Sequence, residues 1–451
     1  MIDWYFILFI AFGLLIVYIE KIGEHQSVNH YILFNRDAGL SEGSYALIIQ
    51  FVTGGVFYLP IYITNQIQLS SFFAFVISAC AIYFLLVKVT ENENNKKVLS
   101  LTDKNVTNDF SLYILIVFGL SNFISLLVEL SILGFLFDEV FKTSLLVGFL
   151  LFLSFVFSYF GLGGYYGVRY IGSKIFFCIY IIGVFIGLTV YMRTGIENVY
   201  EHINRNFASI LDGSFIDITL ITFTIIMTIF GQVCTSFYFW RSIQSIKSNH
   251  RLTALKLSIF SWSALLLLFF VLSVYLFAVS GSKGVFSFFT IISQMNGPFL
   301  SLLTILFLAS ITLGVSTQLY SIISIFLFIL KSRTYNWTAY RLLRMGYFFG
   351  MMVTFLSGVL VMFTYKITGE WISLAIAFYS SVGIPMFLMN VKRRSHLKLY
   401  FYTTSLMIGF SILLSKWISD IWLVSPIVVI VTSMIWVVFI KLNNQKTNKI
   451  L

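Results

Sequence analysis

The sequence predicts an all-α polytopic membrane protein, and three observations predict it. Whole stretches carry no charge: Trp4–Ile19, Ser44–Thr64, Leu69–Val87 and Thr143–Phe160 contain no Asp, Glu, Lys or Arg. Apolar runs of roughly 18 residues or more match the ~30 Å hydrocarbon core of a bilayer. The composition is 59% hydrophobic and only 10% charged, more apolar surface than a water-soluble fold can hide. The basic residues, finally, divide unevenly between alternate loops, as membrane topology demands.

Thirteen segments follow in order. After the first three, Trp4–Ile19, Ser44–Thr64 and Leu69–Val87, come Phe110–Phe137, Thr143–Phe160 and Ile175–Met192. Then come Ile218–Trp240, Leu257–Val279, Pro298–Leu330, Met345–Tyr365 and Trp371–Val391, and last Leu399–Ser415 and Ile421–Ile440. With the N-terminus outside, the inner loops and the C-terminal tail hold 23 of the 29 basic residues. The outer loops hold six: Lys142, Arg193, Arg205, Lys283, Lys366 and Lys416. This asymmetry predicts a multi-pass protein of the cell membrane with its C-terminus in the cytoplasm.

Several classes are disfavoured. The longest polar run, Lys88–Asp109, is a loop and not a soluble domain. The net charge of +11 is a topology signal and no sign of a nucleic-acid partner. Cys80, Cys178 and Cys234 sit in apolar segments without metal-ligand spacing. His25, His30, His202, His250 and His396 all fall in loops, so no catalytic residues are expected.

Two segments carry helix-weakening residues in mid-membrane. The second contains Thr53-Gly54-Gly55 and then Pro60; the seventh contains Gly231-Gln232. Paired interruptions at corresponding places in two halves point to a transporter site, because unwound turns expose backbone groups. Segments 2–6 and 7–11 would then be two inverted five-helix repeats. Close helix packing through small residues is the alternative reading of the same glycines.

Segment 9 carries Ser310, Gly314, Thr317, Ser321 and Ser324 along one helical face. That stripe lines either an ion site or a helix contact. Segment 4 carries Glu129, the only acidic residue deep within a span, with Asn122 and Ser125 on its face. A charge there costs about 2.5–3.5 kcal/mol on insertion scales, so it faces a cavity or a partner. Either it binds solute or coupling ion, or it is a carboxyl group bonded to a neighbouring helix.

Motifs in this order resemble one family. Asn29-His30-Tyr31-Ile32-Leu33-Phe34-Asn35-Arg36 resembles the "D-Y-F-L-A-G-R" stretch of the sodium:solute symporters. Gly163-Gly164-Tyr165-Tyr166-Gly167-Val168 resembles their "G-G-x-x-A-V" turn. Phe230-Gly231-Gln232, with Trp240-Arg241-Ser242 and Lys247-Ser248, resembles their "G/D-Q … Q-R-x-x-x-x-K-S" stretch. Ala309–Tyr320 resembles their sodium-site helix, and the similarity spans about residues 1–391.

The resemblance implies a LeuT-type 5+5 inverted repeat of thirteen transmembrane helices, with one extra helix before and two after. The chain is then one transporter domain, 1–451. A peripheral helix (4–19) precedes the first repeat (44–192), and the second repeat (215–391) precedes two more peripheral helices (399–441). Implied too is a symporter-like secondary transporter that moves a small organic solute by alternating access, coupled to sodium or protons. The only partners expected are that solute and membrane lipids, and no cofactor beyond Na+ or H+.

The implied cation site takes carbonyls of Ile49 and Val52 with Ser310, Ser316 and Thr317. Two registers stay open on segment 9. The strict one puts Leu313-Gly314 where the family has Ser-Thr; a shift of about one turn puts Ser316-Thr317 there. Gly172 stands where the family often has an aspartate. The expectation is weak or absent sodium binding, with proton coupling through Glu129 as the fallback. The solute-site candidates are Gln50, Thr53, Gly54, Tyr58, Glu129, Gln232, Thr235 and Ser236, with Tyr58 and Phe237 as walls or gates. Two alternatives remain: a symporter-like sensor that has lost coupling, and a lipid-linked saccharide flippase.

Overall fold

The computed structural model describes residues 2–19, 27–32, 38–91, 109–195, 197, 200–201, 204–205, 214–280, 298–334, 337–391, 397–418 and 421–447. Leu33–Arg36 of the first motif, most of the loop 88–109, and His25, His202 and His396 lie outside the described residues. What is described is helical; the only β pairing is a single bridge between Ala38 and Ile246.

The helices follow the apolar segments. A first helix, α1 (Ile2–Ile19), precedes the short α2 (Val28–Ile32). Segment 2 is two half-helices, α3 (Leu40–Phe51) and α4 (Gly54–Ile67), followed by α5 (Ser71–Glu91) and α6 (Asp109–Phe135). Next come α7 (Leu145–Val156) and α8 (Leu162–Thr194). Segment 7 is again two pieces, α9 (Phe215–Thr235) and α10 (Phe237–Ser245). Then follow α11 (Arg251–Ser280), α12 (Pro298–Arg333), α13 (Ala339–Thr364), α14 (Thr368–Val391), α15 (Leu397–Trp417) and α16 (Ile421–Thr447). Among the described residues seven spans are long and apolar enough to cross a membrane, and four further apolar helices are shorter.

The molecule is built for lipid. Large apolar side chains such as Phe84, Phe185, Phe348 and Phe363 are exposed, while hydroxyls and amides such as Ser121, Asn122, Thr312 and Ser316 are buried. Many buried hydroxyls bond within their own helix, as from Ser131 to the Leu127 carbonyl and from Thr312 to that of Leu308.

Two differences from the sequence reading have physical causes. Segment 6, expected from Ile175, is the far part of α8, which begins at Leu162. Its first turns carry Arg169 and Lys174 and so escape an apolar count. Gly164 kinks that helix at φ 53° and ψ −142°, where a Cβ would stand 2.5 Å from the Tyr31 carbonyl oxygen. Only glycine fits such a contact in that backbone region. Segment 7, expected to break at Gly231-Gln232, runs helically through both and breaks at Ser236. Gly231 instead lets α9 and α14 touch: a Cβ there would lie 2.2 Å from the Tyr379 carbonyl oxygen, with Gly383 opposite. The small-residue packing alternative is the one the structure adopts at that glycine.

α3 and α4 lie against α11 and α12, and α6 packs along α12, α14 and α9. The strand before α3 and the strand after α10 are tied by two bonds, Ala38 N–H to the Ser245 carbonyl (2.9 Å) and Lys247 N–H to the Ala38 carbonyl (3.2 Å). One end of each broken helix is thereby fixed to the other.

Candidate functional site

The site forms where the chain stops being helical. α3 ends at Phe51; Val52 is extended (φ −90°, ψ 93°), Thr53 bends, and α4 restarts at Gly54. Neither Thr nor Gly supports a helix interior well, and two adjacent glycines weaken it further. The restart exposes amides with no intrahelical partner. They are met by Glu129 from α6. Gly54 N–H donates to Glu129 Oε2 at 2.8 Å, and Gly55 N–H reaches Oε1 at 3.4 Å. The positive end of a half-helix dipole favours a carboxylate in that place.

On its other side the carboxylate lies against α12 at Gly314, where a Cβ would sit 2.8–3.0 Å from the carboxyl atoms. Glu129 is thus wedged between α4 and α12 and is only 3% exposed. The glycine in the polar stripe of segment 9 makes room for this side chain.

The same face of α6 holds the second interruption. Asn122 Nδ2 donates to the Phe118 carbonyl (2.6 Å) and to the Thr235 carbonyl (3.3 Å) at the end of α9. Ser121 bonds the Thr235 hydroxyl. Ser125 bonds the Tyr379 hydroxyl of α14 and accepts from Gln232 Nε2 at 3.2 Å. At the break itself Ser236 caps α10, its hydroxyl accepting from Phe239 N–H, and donates to Gln50 Oε1 at 2.7 Å. The two breaks are therefore joined through Gln50 and Ser236.

Between them lies a cavity of about 130 Å³. Gln50, Thr53, Tyr58, Glu129 and Gln232 line it, five of the residues singled out from sequence. Gly54 does not, being covered by Glu129; Thr235 and Ser236 lie behind the wall in the links to Ser121 and Gln50. Phe237, expected as a wall or gate, is buried elsewhere, with the Arg241 guanidinium 4.8 Å from its ring centroid. Sequence reasoning left unassigned Ser125, Thr228, Trp262, Ile376 and Tyr379, which also line the cavity. Ser125 shared a face with Glu129 and was legible in principle. Trp262 and Tyr379 carried no signal in a chain that is 18% aromatic.

The cation candidates lie apart from the cavity wall. Ile49 and Val52 are buried around the end of α3, where carbonyls lack a following helical amide. Ser316 Oγ is turned to its own helix, onto the Thr312 and Leu313 carbonyls (2.6 and 3.0 Å), and Thr317 Oγ1 onto Gly314 (2.9 Å). Ser310 Oγ is buried without a partner among the described residues.

No protein-family model matches the chain, and no curated protein matches it in sequence. Solved structures do. A Na+-coupled sialic acid symporter, substrate-bound and outward-open, is similar with a TM-score of 0.64 at 12% identity, over 93% of this chain and 98% of that one. MhsT in complex with L-phenylalanine gives a TM-score of 0.46 at 12% identity, over 87% of this chain and 99% of that one. A manganese transporter of Eremococcus coleocola gives 0.44 at 13% identity, over 88% and 94%. At such identity the first likeness shows the fold: this chain has a divergent LeuT-type, sodium-symporter-like fold.

Proposed function

We propose that the protein is a symporter-like secondary transporter. It moves a small organic solute across the cell membrane by alternating access, coupled to sodium or to protons. One observation carries the reading: a cavity bounded by two interrupted helices whose breaks are joined through Gln50 and Ser236. Half-helix ends at mid-membrane are where transporters of this build hold solutes and ions. On this reading the chain crosses the membrane thirteen times, N-terminus outside. α3–α8 and α9–α14 are its two inverted repeats, with α1, α15 and α16 peripheral.

Gln50, Thr53, Tyr58, Glu129 and Gln232 contact the solute, while Gly54, Thr235 and Ser236 hold the breaks in shape. The Ile49 and Val52 carbonyls with Ser310, Ser316 and Thr317 are the cation candidates. Sodium prefers several oxygen ligands at once, and Ser316 and Thr317 are turned to their own helix. This favours weak sodium binding, with Glu129 as the proton-coupled group instead.

The test is reconstitution into proteoliposomes exposed to a mixture of small metabolites. Contents are measured by mass spectrometry under a sodium gradient, a potassium gradient and a pH gradient. Accumulation of a solute above its outside concentration under the sodium or the pH gradient is expected. Absence of accumulation under every gradient would overturn the reading. A sensor that has lost coupling is the second reading, favoured by the same hydroxyls; it would bind a solute and move none. A lipid-linked saccharide flippase fits less well, because no basic side chain lines the cavity among the described residues.

A further inference from the structure

The cavity has one acidic lining residue, Glu129, and no Lys, Arg or His among the described residues. The two carboxylate oxygens stand in different surroundings. Oε2 holds the Gly54 amide on the closed side, where a Cβ on Gly54 would meet Ile311 Cγ1 at 2.8 Å. Oε1 lies toward Gly55, which lines the cavity; a Cβ there would meet only Thr53 Oγ1, at 3.4 Å. A carboxylate offers about four acceptor positions. Gly54 N–H, Gly55 N–H and the Thr53 hydroxyl all bond this carboxylate, which leaves about one acceptor position toward the cavity.

Besides the neutral donors Gln50 Nε2 and Trp262 Nε1, two charge-bearing devices could hold an anionic solute here, a basic side chain or the amides that open α4. The first is missing from the lining, and the second is already engaged by the chain's own carboxylate. An incoming carboxylate would meet like charge in a medium that screens poorly. A metal ion is poorly served too, since hard cations want six or more oxygens and this lining is mostly Leu, Ile, Val and aromatic.

A separate observation points to a ligand. Gln50 is 2% exposed and lines the cavity; its Oε1 is engaged by Ser236, and its Nε2 is buried without a partner among the described residues, so a turn of the amide is what brings it to the cavity. A buried amide donor left unmatched costs free energy until an acceptor arrives.

We propose that the solute is a small protonated amine on an apolar body, with an oxygen acceptor near the amine. The ammonium bonds Glu129 Oε1 and the oxygen accepts from Gln50 Nε2. The body rests among Tyr58, Trp262, Leu266 and Ile376. An engineered apolar cavity of about 150 Å³ holds benzene, so 130 Å³ suits a single ring or its aliphatic equivalent. Aromatic walls add cation–π attraction. This class of solute rests on the transporter reading of the cavity.

The experiment is equilibrium binding to the purified full-length protein in detergent, with four probes built on one phenyl ring: benzylamine, 2-amino-1-phenylethanol, benzyl alcohol and benzoate. The expected order places the amino alcohol first, benzylamine next, and benzyl alcohol at least tenfold weaker, with benzoate not binding. Glu129→Gln, monodisperse by gel filtration, is expected to weaken both amines at least tenfold and to spare benzyl alcohol. Gln50→Leu is expected to remove the amino alcohol's advantage over benzylamine.

The wild-type order needs no variant to fold. Benzoate binding as well as benzylamine, or no binding of either amine, overturns the proposal. So does Na+ binding that Glu129→Gln abolishes while amine affinity stays unchanged. In proteoliposomes the two readings separate. An amine that binds and never accumulates sinks the transporter and leaves the solute class. A neutral or anionic solute that accumulates sinks the solute class and leaves the transporter.

Discussion

At the first interruption the amides that open α4 are met by a carboxylate 75 residues further along the chain; at the second, Ser236 meets the Phe239 amide from within its own turn. The two half-helices differ accordingly. α10 is buried along its whole length, from Phe237 to Ser245. α4 borders the cavity through Gly55, Tyr58 and Leu59. A local hydroxyl cap is neutral, and the neighbouring Tyr238 amide is met by another neutral hydroxyl, Ser321 Oγ of α12 at 3.2 Å. A carboxylate cap brings charge to the cavity edge and ties α4 to α6 and α12 at one point. One architecture thus uses one break as a support and the other as a candidate binding element.

The largest expected effect lies beside the support. Gly231→Val puts a side chain where 2.2 Å separates a Cβ from the Tyr379 carbonyl oxygen, and backbone cannot yield as a side-chain tip can. We expect no folded protein, read as loss of the monodisperse peak in gel filtration. A well-behaved Gly231→Val would mean that α9 and α14 do not cross so closely.

Next comes the charged cap. Glu129→Gln keeps an acceptor for Gly54 N–H, so folding should survive while transport falls tenfold or more. Glu129→Ala leaves buried amides unmet, at about 1–3 kcal/mol each, and should also lower thermal stability in detergent. Equal transport by wild type and Glu129→Gln, with unchanged response to pH and sodium gradients, would reduce Glu129 to a structural cap. The contrast between the two breaks would then disappear.

A smaller effect is expected at the neutral cap. Ser236→Ala removes one N-cap bond, worth about 1 kcal/mol, together with the link to Gln50. Chemical denaturation in micelles should register it, with transport reduced less than in Glu129→Gln. The reverse ranking would make the second break the more important one for solute.

The smallest effects belong to α12. Ser316→Ala and Thr317→Ala each delete a buried hydroxyl turned back to its own helix, so stability should change by no more than about 1 kcal/mol. Dependence on sodium should be weak before and after. Strong, saturable sodium dependence abolished by both substitutions would show the shifted register on this helix to be the true one.

Much of this was legible in the chain. Uncharged segments set the helical, membrane-spanning class, because hydrocarbon tolerates no unsatisfied backbone and few charges. Thr53-Gly54-Gly55 marked the first break, since weak helix formers act locally. Glu129 stood out because a lone acid in a span needs a reason. Spacing alone already put Asn122, Ser125 and Glu129 on one face.

What remained hidden was contact between segments far apart in sequence. A glycine reads the same whether it interrupts a helix or admits a neighbour, so the role of Gly231 was decided by Tyr379, in another helix. The sequence singles out Ser236 as a solute-site candidate, but its capping role is visible only where α10 restarts behind it, and Tyr379 looks like any aromatic until Ser125 meets its hydroxyl. That Glu129 caps Gly54 while also bordering the cavity followed only from the crossing of α4, α6 and α12. Local chemistry fixes which residues are costly in a membrane. Only the packing of whole helices decides which partner offsets that cost.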